Sequence, residues 1–210
     1  MASDLTLWGV GTSRTLRAHW MMLELGLEYR FHPIQSRTGE TQTDEFLRLN
    51  PRHKIPVLRH GSFVLTESAA ITQYLSETFA SPQEFYVPHD AESRAALSEW
   101  CYFIISELDA GSLYVVRRHE GLKQVYGEAP VAVEAAKAYF HHNLEAMAPG
   151  IRQPYLLGDR LSTADILMVT CLEWAALSGI PLSETWSQYR SRLALRPAYR
   201  AAIERNFAVY

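Results

Sequence analysis

A chain of 210 residues is long enough for one large domain or two modest ones. Its 48% hydrophobic and 20% charged residues are those of an ordinary globular protein. A formal net charge of −3, with no basic run or acidic tail, gives no reason to expect nucleic acid or an acidic membrane as a partner. The start, Met1-Ala2-Ser3-Asp4, lacks the basic flank and apolar core of a signal peptide, and no segment approaches the ~20 apolar residues that span a bilayer. Cys101 and Cys171 each sit in an apolar, helix-like stretch, which suits reduced core cysteines of a cytoplasmic protein better than a disulfide. The histidines are scattered without metal-ligand spacing, so no metal is expected.

The first eighty residues alternate strand and helix signals. Leu5–Trp8 reads as a short strand and Gly9–Ser13 as a turn. Leu16, Trp20, Leu23 and Leu27 then recur at helical spacing, with Ser13 in the position of an N-cap and Gly26 where the helix should stop. Residues 28–34 form a second strand candidate, with Pro33 marking an edge or an end. A short helix over 42–49 ends at Asn50-Pro51, and strands at 55–59 and 62–65 flank a tight hairpin at His60-Gly61. Residues 67–79 are helical, with Ala70, Ile71, Tyr74 and Leu75 on one face. The order β-α-β-α-β-β-α predicts a mixed sheet covered by helices.

From Ser81-Pro82 to Pro88-His89 the pattern breaks, and every later signal is helical. In 91–118, Leu97, Trp100, Cys101, Ile104, Ile105 and Leu108 make one amphipathic stripe. Further helices are expected at 131–147, 163–177 and 184–195, with a last short one after Pro197. The domains are therefore 1–82 and 90–210. Leu161-Ser162-Thr163-Ala164-Asp165-Ile166 has the form of a capping box with a hydrophobic staple: Ser162 and Asp165 cap reciprocally, while Leu161 packs on Ile166.

Four segments, in this order, resemble the cytosolic glutathione transferase superfamily, bacterial-type with a serine-type site. They are Ser13-Arg14-Thr15-Leu16-Arg17-Ala18-His19-Trp20 with Leu23–Leu27, Asn50-Pro51-Arg52-His53-Lys54-Ile55-Pro56-Val57-Leu58, Leu65-Thr66-Glu67-Ser68-Ala69-Ala70-Ile71, and Gly158-Asp159 through Asp165-Ile166. The resemblance implies a thioredoxin-like N-terminal domain followed by an all-helical C-terminal domain, and glutathione as co-substrate. It implies a catalytic Ser13 whose hydroxyl donates to the glutathione thiolate at a helix start, where unpaired N–H groups and the helix dipole favour negative charge. Thr12 and Thr15 are the rivals for that role. Ile55-Pro56 looks like the family's cis-proline turn, whose backbone pairs with the cysteinyl unit. By the same resemblance Glu67 meets the γ-glutamyl ammonium, Ser68 holds the γ-glutamyl carboxylate, and His53 and Lys54 contact the glycyl carboxylate.

The sequence also departs from the pattern it resembles. Ala69 stands where some insect serine-type members carry an arginine, and Trp8 occupies the strand where tyrosine-type members keep their tyrosine. The turn before the first helix holds no cysteine, which argues against a Cys-type thiol transferase. Val10, Tyr102, Ser106 and Tyr114, with Phe207 or Tyr210, are the candidates for a hydrophobic second-substrate pocket. The implied activity is conjugation of glutathione to an apolar electrophile. The alternatives are a non-catalytic binding or interaction module, because fold does not fix function, or a glutathione-dependent isomerase or disulfide reductase. The resemblance also implies a homodimer.

Overall fold

A computed structural model describes residues 4–210. The chain divides into two compact units, one running through Pro82 and joined by Ala194–Tyr210, the other Gln83–Leu193. The first unit thus includes the C-terminal helix, which the sequence alone places with the helical domain. Amphipathic spacing shows that a helix has an apolar face but not what covers that face.

The first unit contains β1 (Leu5–Trp8), α1 (Ser13–Glu24), β2 (Arg30–His32), α2 (Asp44–Leu49), β3 (Val57–His60), β4 (Phe63–Thr66) and α3 (Ser68–Phe79). The strands form one sheet in the order β2-β1-β3-β4, with β1 parallel to β2 and both other pairings antiparallel. This is the thioredoxin-like arrangement expected. Leu5, Leu7, Leu16, Ala18, Trp20, Met21, Met22, Ile71 and Leu75 are buried, so the sheet, α1 and α3 share one apolar core. On α2, Phe46 joins Trp8, Ile55 and Val57 in a smaller cluster. The hairpin turn falls at Gly61-Ser62 rather than His60-Gly61, because Gly61 supplies the left-handed φ of 60° that the turn needs.

Two features differ from the sequence reading in ways that matter for the site. Thr12, not Ser13, is the N-cap of α1: its side chain accepts from the Thr15 N–H, and Thr15 bonds back to the Thr12 N–H. Ser13 is therefore the first residue inside the helix. The expected helix over 91–118 is α4 (Ala91–Phe103) followed by a wider, π-wound run over Ile104–Leu113, the short α5 (Tyr114–Val116) and a second π-wound turn, Arg117–Gly121. The Ser112 hydroxyl donates to the Glu107 carbonyl five residues back at 2.6 Å, and a Cβ on Gly111 would meet the Ser106 carbonyl at 2.9 Å. These two residues accommodate the wider winding, which is invisible to a 3.6-residue period.

The second unit continues with α6 (Lys123–Tyr126), α7 (Pro130–Met147), α8 (Thr163–Leu177) and α9 (Glu184–Ala194). Its centre is α8, buried along most of its length. The Asp165 carboxylate accepts the N–H groups of Leu156 and Ser162, both at 2.8 Å, and the hydroxyls of Ser162 and Tyr189. Burial pushes the Asp165 carboxyl up from its ordinary range, and these donors oppose the rise. Leu161 and Ile166 are buried where a hydrophobic staple places them. Both cysteines are buried and neither forms a disulfide. No helix among the described residues is long and apolar enough to cross a membrane.

In the first unit, α10 (Pro197–Phe207) packs on α1. Arg196 pairs with Glu24, the Tyr199 ring meets Trp20 edge-on at 4.8 Å, and the Arg205 guanidinium lies over Tyr29 and Phe31. Beneath that patch His19 is fully buried. Its Nε2 lies 3.0 Å from the Gly9 carbonyl and its Nδ1 2.7 Å from the Tyr29 hydroxyl. A carbonyl only accepts, so Nε2 carries the proton and Nδ1 accepts from Tyr29. A neutral imidazole satisfies both partners.

Burial lowers the His19 pKa to about 4, against the Gly9 bond and with help from the Arg205 charge. The folded protein therefore resists taking up a proton that the unfolded chain binds near pH 6.5. Stability from this residue is fully present above that pH and is lost as pH falls towards about 4, by on the order of 3 kcal/mol in all. Urea unfolding between pH 7 and pH 4 should show that loss in the wild type and a flatter acid limb in His19→Gln. Parallel limbs in the two proteins would contradict this role for His19.

Candidate functional site

The centre of the site is the turn from β1 into α1. Gly9 carries a φ of 119°, and a Cβ there would lie 2.6 Å from the Ile55 Cβ and 2.8 Å from the Thr15 methyl. Only glycine allows this approach, which packs the turn against the loop that precedes β3. In that loop the Ile55-Pro56 peptide is cis, as the resemblance implied.

The two hydroxyls beside Ser13 are already engaged. Thr12 and Thr15 cap one another, and their oxygens are 3.0 Å apart. Ser13 is half-buried at the first helical position, and its hydroxyl makes no hydrogen bond among the described residues. It stands with the first-turn N–H groups of α1, whose dipole favours an anion.

Asn50 shapes the loop that carries His53 and Lys54. It is buried, its Nδ2 donates to the Lys54 carbonyl at 2.7 Å, and its Oδ1 accepts the Arg52 N–H at 3.1 Å. His53 takes a left-handed φ of 56° and its Nδ1 lies 3.2 Å from the Thr41 carbonyl. His53 and Lys54 are both exposed.

Glu67 is the residue before α3, and its φ of 69° is rare for a side chain of this kind. Such a residue is a cue to function rather than a routine cap, and Glu67 makes no side-chain cap bond. Its carboxylate reaches across to Arg52 Nη1 at 2.8 Å, while Arg52 Nη2 donates to the Thr66 hydroxyl at 2.7 Å. Both partners of this ion pair are largely exposed, so the pair orients more than it stabilises.

Ser68 is buried and accepts from Arg17 Nη1 at 3.2 Å. A hydroxyl whose lone pair receives an arginine keeps its own proton for another acceptor. The sequence reading did not single out Arg17 or Arg52. The one local signal for Arg17 is its position four residues after Ser13, one turn along the same helical face.

These contacts bring the sequence-predicted residues of the first unit together in pairs. The Ser13 turn meets Ile55-Pro56 through Gly9, α1 meets Ser68 through Arg17, and the loop of His53 and Lys54 meets Glu67 through Arg52. The second-substrate candidates are distributed differently. Val10 is in the first unit and is buried, 1% exposed. Tyr102, Ser106 and Tyr114 are in the second unit. Tyr102 is exposed, the Ser106 hydroxyl donates to the Tyr102 carbonyl at 2.8 Å, and Arg118 lies over the Tyr114 ring at 4.5 Å. Among the described residues no cluster of histidine, cysteine and carboxylate side chains is arranged to hold a metal ion.

Family models for the glutathione S-transferase N-terminal domain and the glutathione S-transferase C-terminal domain match residues 3–77 and 103–192. A glutathione S-transferase of Drosophila melanogaster is 32% identical over 190 residues, which cover 87% of this chain and 82% of that protein. Among solved structures, a glutathione transferase of Phanerochaete chrysosporium in complex with oxidized glutathione superposes with a TM-score of 0.82 at 22% identity, covering 97% of this chain and 96% of its own. The theta class enzyme of Xanthomonas axonopodis pv. citri, with glutathione bound, does so with a TM-score of 0.75 at 24% identity, covering 99% of both chains. With both domain models matched in order and a relative of this identity aligned along most of its length, the chain belongs to the cytosolic glutathione S-transferase superfamily and is an enzyme of that family.

Proposed function

We propose that the enzyme conjugates the thiolate of glutathione to an electrophilic carbon of an apolar substrate, with Ser13 as the thiolate's hydrogen-bond donor. The observation that carries this reading is the contrast at the start of α1: Thr12 and Thr15 bond each other, whereas the Ser13 hydroxyl is uncommitted. A free thiol has a pKa of ~8.5, so little of it is ionised at neutral pH. A hydroxyl donor and the unpaired N–H groups of a helix start stabilise only the ionised form, and each pKa unit of lowering corresponds to ~1.4 kcal/mol. The thiol proton leaves to solvent. The sulfur then forms its bond to carbon while a leaving group departs with its electron pair, or the electrons pass to an acceptor atom that is protonated. Holding both reactants together supplies the rest of the acceleration.

In this reading the Ile55-Pro56 backbone pairs with the cysteinyl unit, Glu67 takes the γ-glutamyl ammonium, Ser68 takes the γ-glutamyl carboxylate, and His53 and Lys54 take the glycyl carboxylate. Several features support it. Glu67 holds its unusual backbone, Ser68 retains a proton to donate, and two titratable side chains project from an exposed loop. Tyr102, Ser106 and Tyr114, all in the second unit, remain the proposed lining for the second substrate. The unbridged cysteines suit the cytoplasm as its place of action.

The purified protein should be retained on immobilised glutathione and should turn over a generic aryl halide. Ser13→Ala should lower kcat/KM at neutral pH by about tenfold or more, with the bound thiol's apparent pKa raised by about one unit and KM for glutathione little changed. An unchanged thiolate titration in the ultraviolet would remove Ser13 from this role. Binding without turnover of any electrophile, peroxide or disulfide would favour a non-catalytic module.

We also propose a homodimer. Phe63 and Val64 are exposed on β4, an edge strand, and Tyr102 is 72% exposed on α4, all apolar surface that a second copy would cover. Light scattering should give twice the mass of one chain, and a single-chain mass at all accessible concentrations would refute the dimer.

A further inference from the structure

We propose that Asn206, near the end of the C-terminal helix, is a positioning residue that holds the turn before α1 so that Ser13 faces the glutathione thiol. The inference rests on the reading of Ser13 given above and names what keeps that serine in place.

Asn206 is fully buried, and three of its polar groups go to this one turn. Its carbonyl accepts the Gly11 N–H at 2.8 Å, its Oδ1 accepts the Thr15 hydroxyl at 2.7 Å, and its Nδ2 donates to the Thr12 carbonyl at 3.1 Å. The amide has one orientation that works. The Thr12 carbonyl can only accept, so the NH₂ group must face it and the amide oxygen must face Thr15.

The turn needs such a hold. Gly9 and Gly11 both have positive φ, 119° and 79°, and a Cβ on Gly11 would meet nothing within 4 Å. The close approach to Ile55 restrains Gly9, but no neighbour crowds Gly11, and glycine itself has little conformational preference. The bond from the Gly11 N–H to the Asn206 carbonyl supplies the missing restraint.

Asn206 also settles where protons point. The Thr15 hydroxyl has one proton and three acceptors within reach: Asn206 Oδ1 at 2.7 Å, the Thr12 carbonyl at 2.8 Å and Thr12 Oγ1 at 3.0 Å. With the proton given to Asn206 and the Thr12 carbonyl taken by the amide, the Thr15 oxygen turns its lone pairs to Thr12. It then accepts the Thr12 N–H at 3.0 Å and can accept the Thr12 hydroxyl as well. Both threonine protons are thereby directed inward, and Ser13 is left as the hydroxyl that can serve an external sulfur. The helix carrying Asn206 is itself fixed, by Arg196 on Glu24, by Tyr199 on Trp20 and by Arg205 over Tyr29 and Phe31. A positioning residue acts only from such a supported base.

The test is Asn206→Ala, studied at a temperature where circular dichroism shows it folded, beside the wild type. The bound thiol's apparent pKa should rise by about one unit and kcat at neutral pH should fall by about tenfold. KM for glutathione should stay within about twofold, because the peptide's charged ends are held by Glu67, Ser68, His53 and Lys54 rather than by the turn. Should Asn206→Ala not fold, Thr15→Val removes the partner hydroxyl while leaving α10 intact, and the thiol pKa should rise in the same direction. Ala202→Gly loosens α10 without removing a bond to the turn, so it should lower Tm and leave the titration unchanged. A normal thiol titration in folded Asn206→Ala or Thr15→Val would overturn the inference and leave the Ser13 reading standing. An equal rise in Ala202→Gly would also overturn it, by reducing the effect to general loosening. A wild type that binds glutathione without lowering its thiol pKa would overturn the Ser13 reading, and this inference with it.

Discussion

The end of β1 passes so close to the loop before β3 that the Ile55 Cβ occupies the space a side chain on Gly9 would need, at 2.6 Å. That approach sets the distance between the start of α1 and the Ile55-Pro56 turn, and everything proposed for the thiol depends on it. A helix start favours an anion wherever it occurs. It becomes a place for one particular thiol only when a second backbone segment is held beside it at a fixed spacing. Gly9 also lends its carbonyl to His19, so the same residue links the turn to a buried imidazole and through it to Tyr29.

Around this contact the polar groups divide into those that shape and those that remain available. Asn50, Thr12, Thr15 and Asn206 are satisfied by the protein, and their bonds fix loops. Ser13 and Ser68 differ in that each keeps a proton to give. In Ser68 the buried guanidinium of Arg17 donates to the hydroxyl oxygen, and the hydroxyl's own proton stays available. Ala69 leaves no arginine at the second position of α3, and Arg17 brings a guanidinium to the same corner from α1 instead.

Much of both units is legible in the sequence because the signals are local. The Leu5–Trp8 strand, the Gly26 stop and the Ser162/Asp165 capping box are each read from a few adjacent residues, and the structure contains all three. The cap of α1 was misread by one position because Thr12 and Ser13 are both good N-caps, and only the reciprocal bond with Thr15 distinguishes them. The π-wound run after Phe103 was missed because an apolar stripe continues through it. The pairing of α10 with α1 and the three bonds of Asn206 had no local signal at all. A lone asparagine near a chain end looks like surface, and its partners are more than 190 residues away. Candidate site residues carried by motifs are legible from the motifs, whereas a residue that touches a motif from the far end of the chain, as Asn206 does, is visible only in the structure.

In the proposed reading the start of α1, the Ile55-Pro56 loop and the start of α3 act as one glutathione site. Titrating isotope-labelled protein with glutathione and following the backbone amides tests it most directly. Saturable shifts should concentrate at Thr12–Arg14, His53–Ile55 and Glu67–Ser68, all with one dissociation constant. Shifts confined to a single one of these segments, or located outside them, would contradict it.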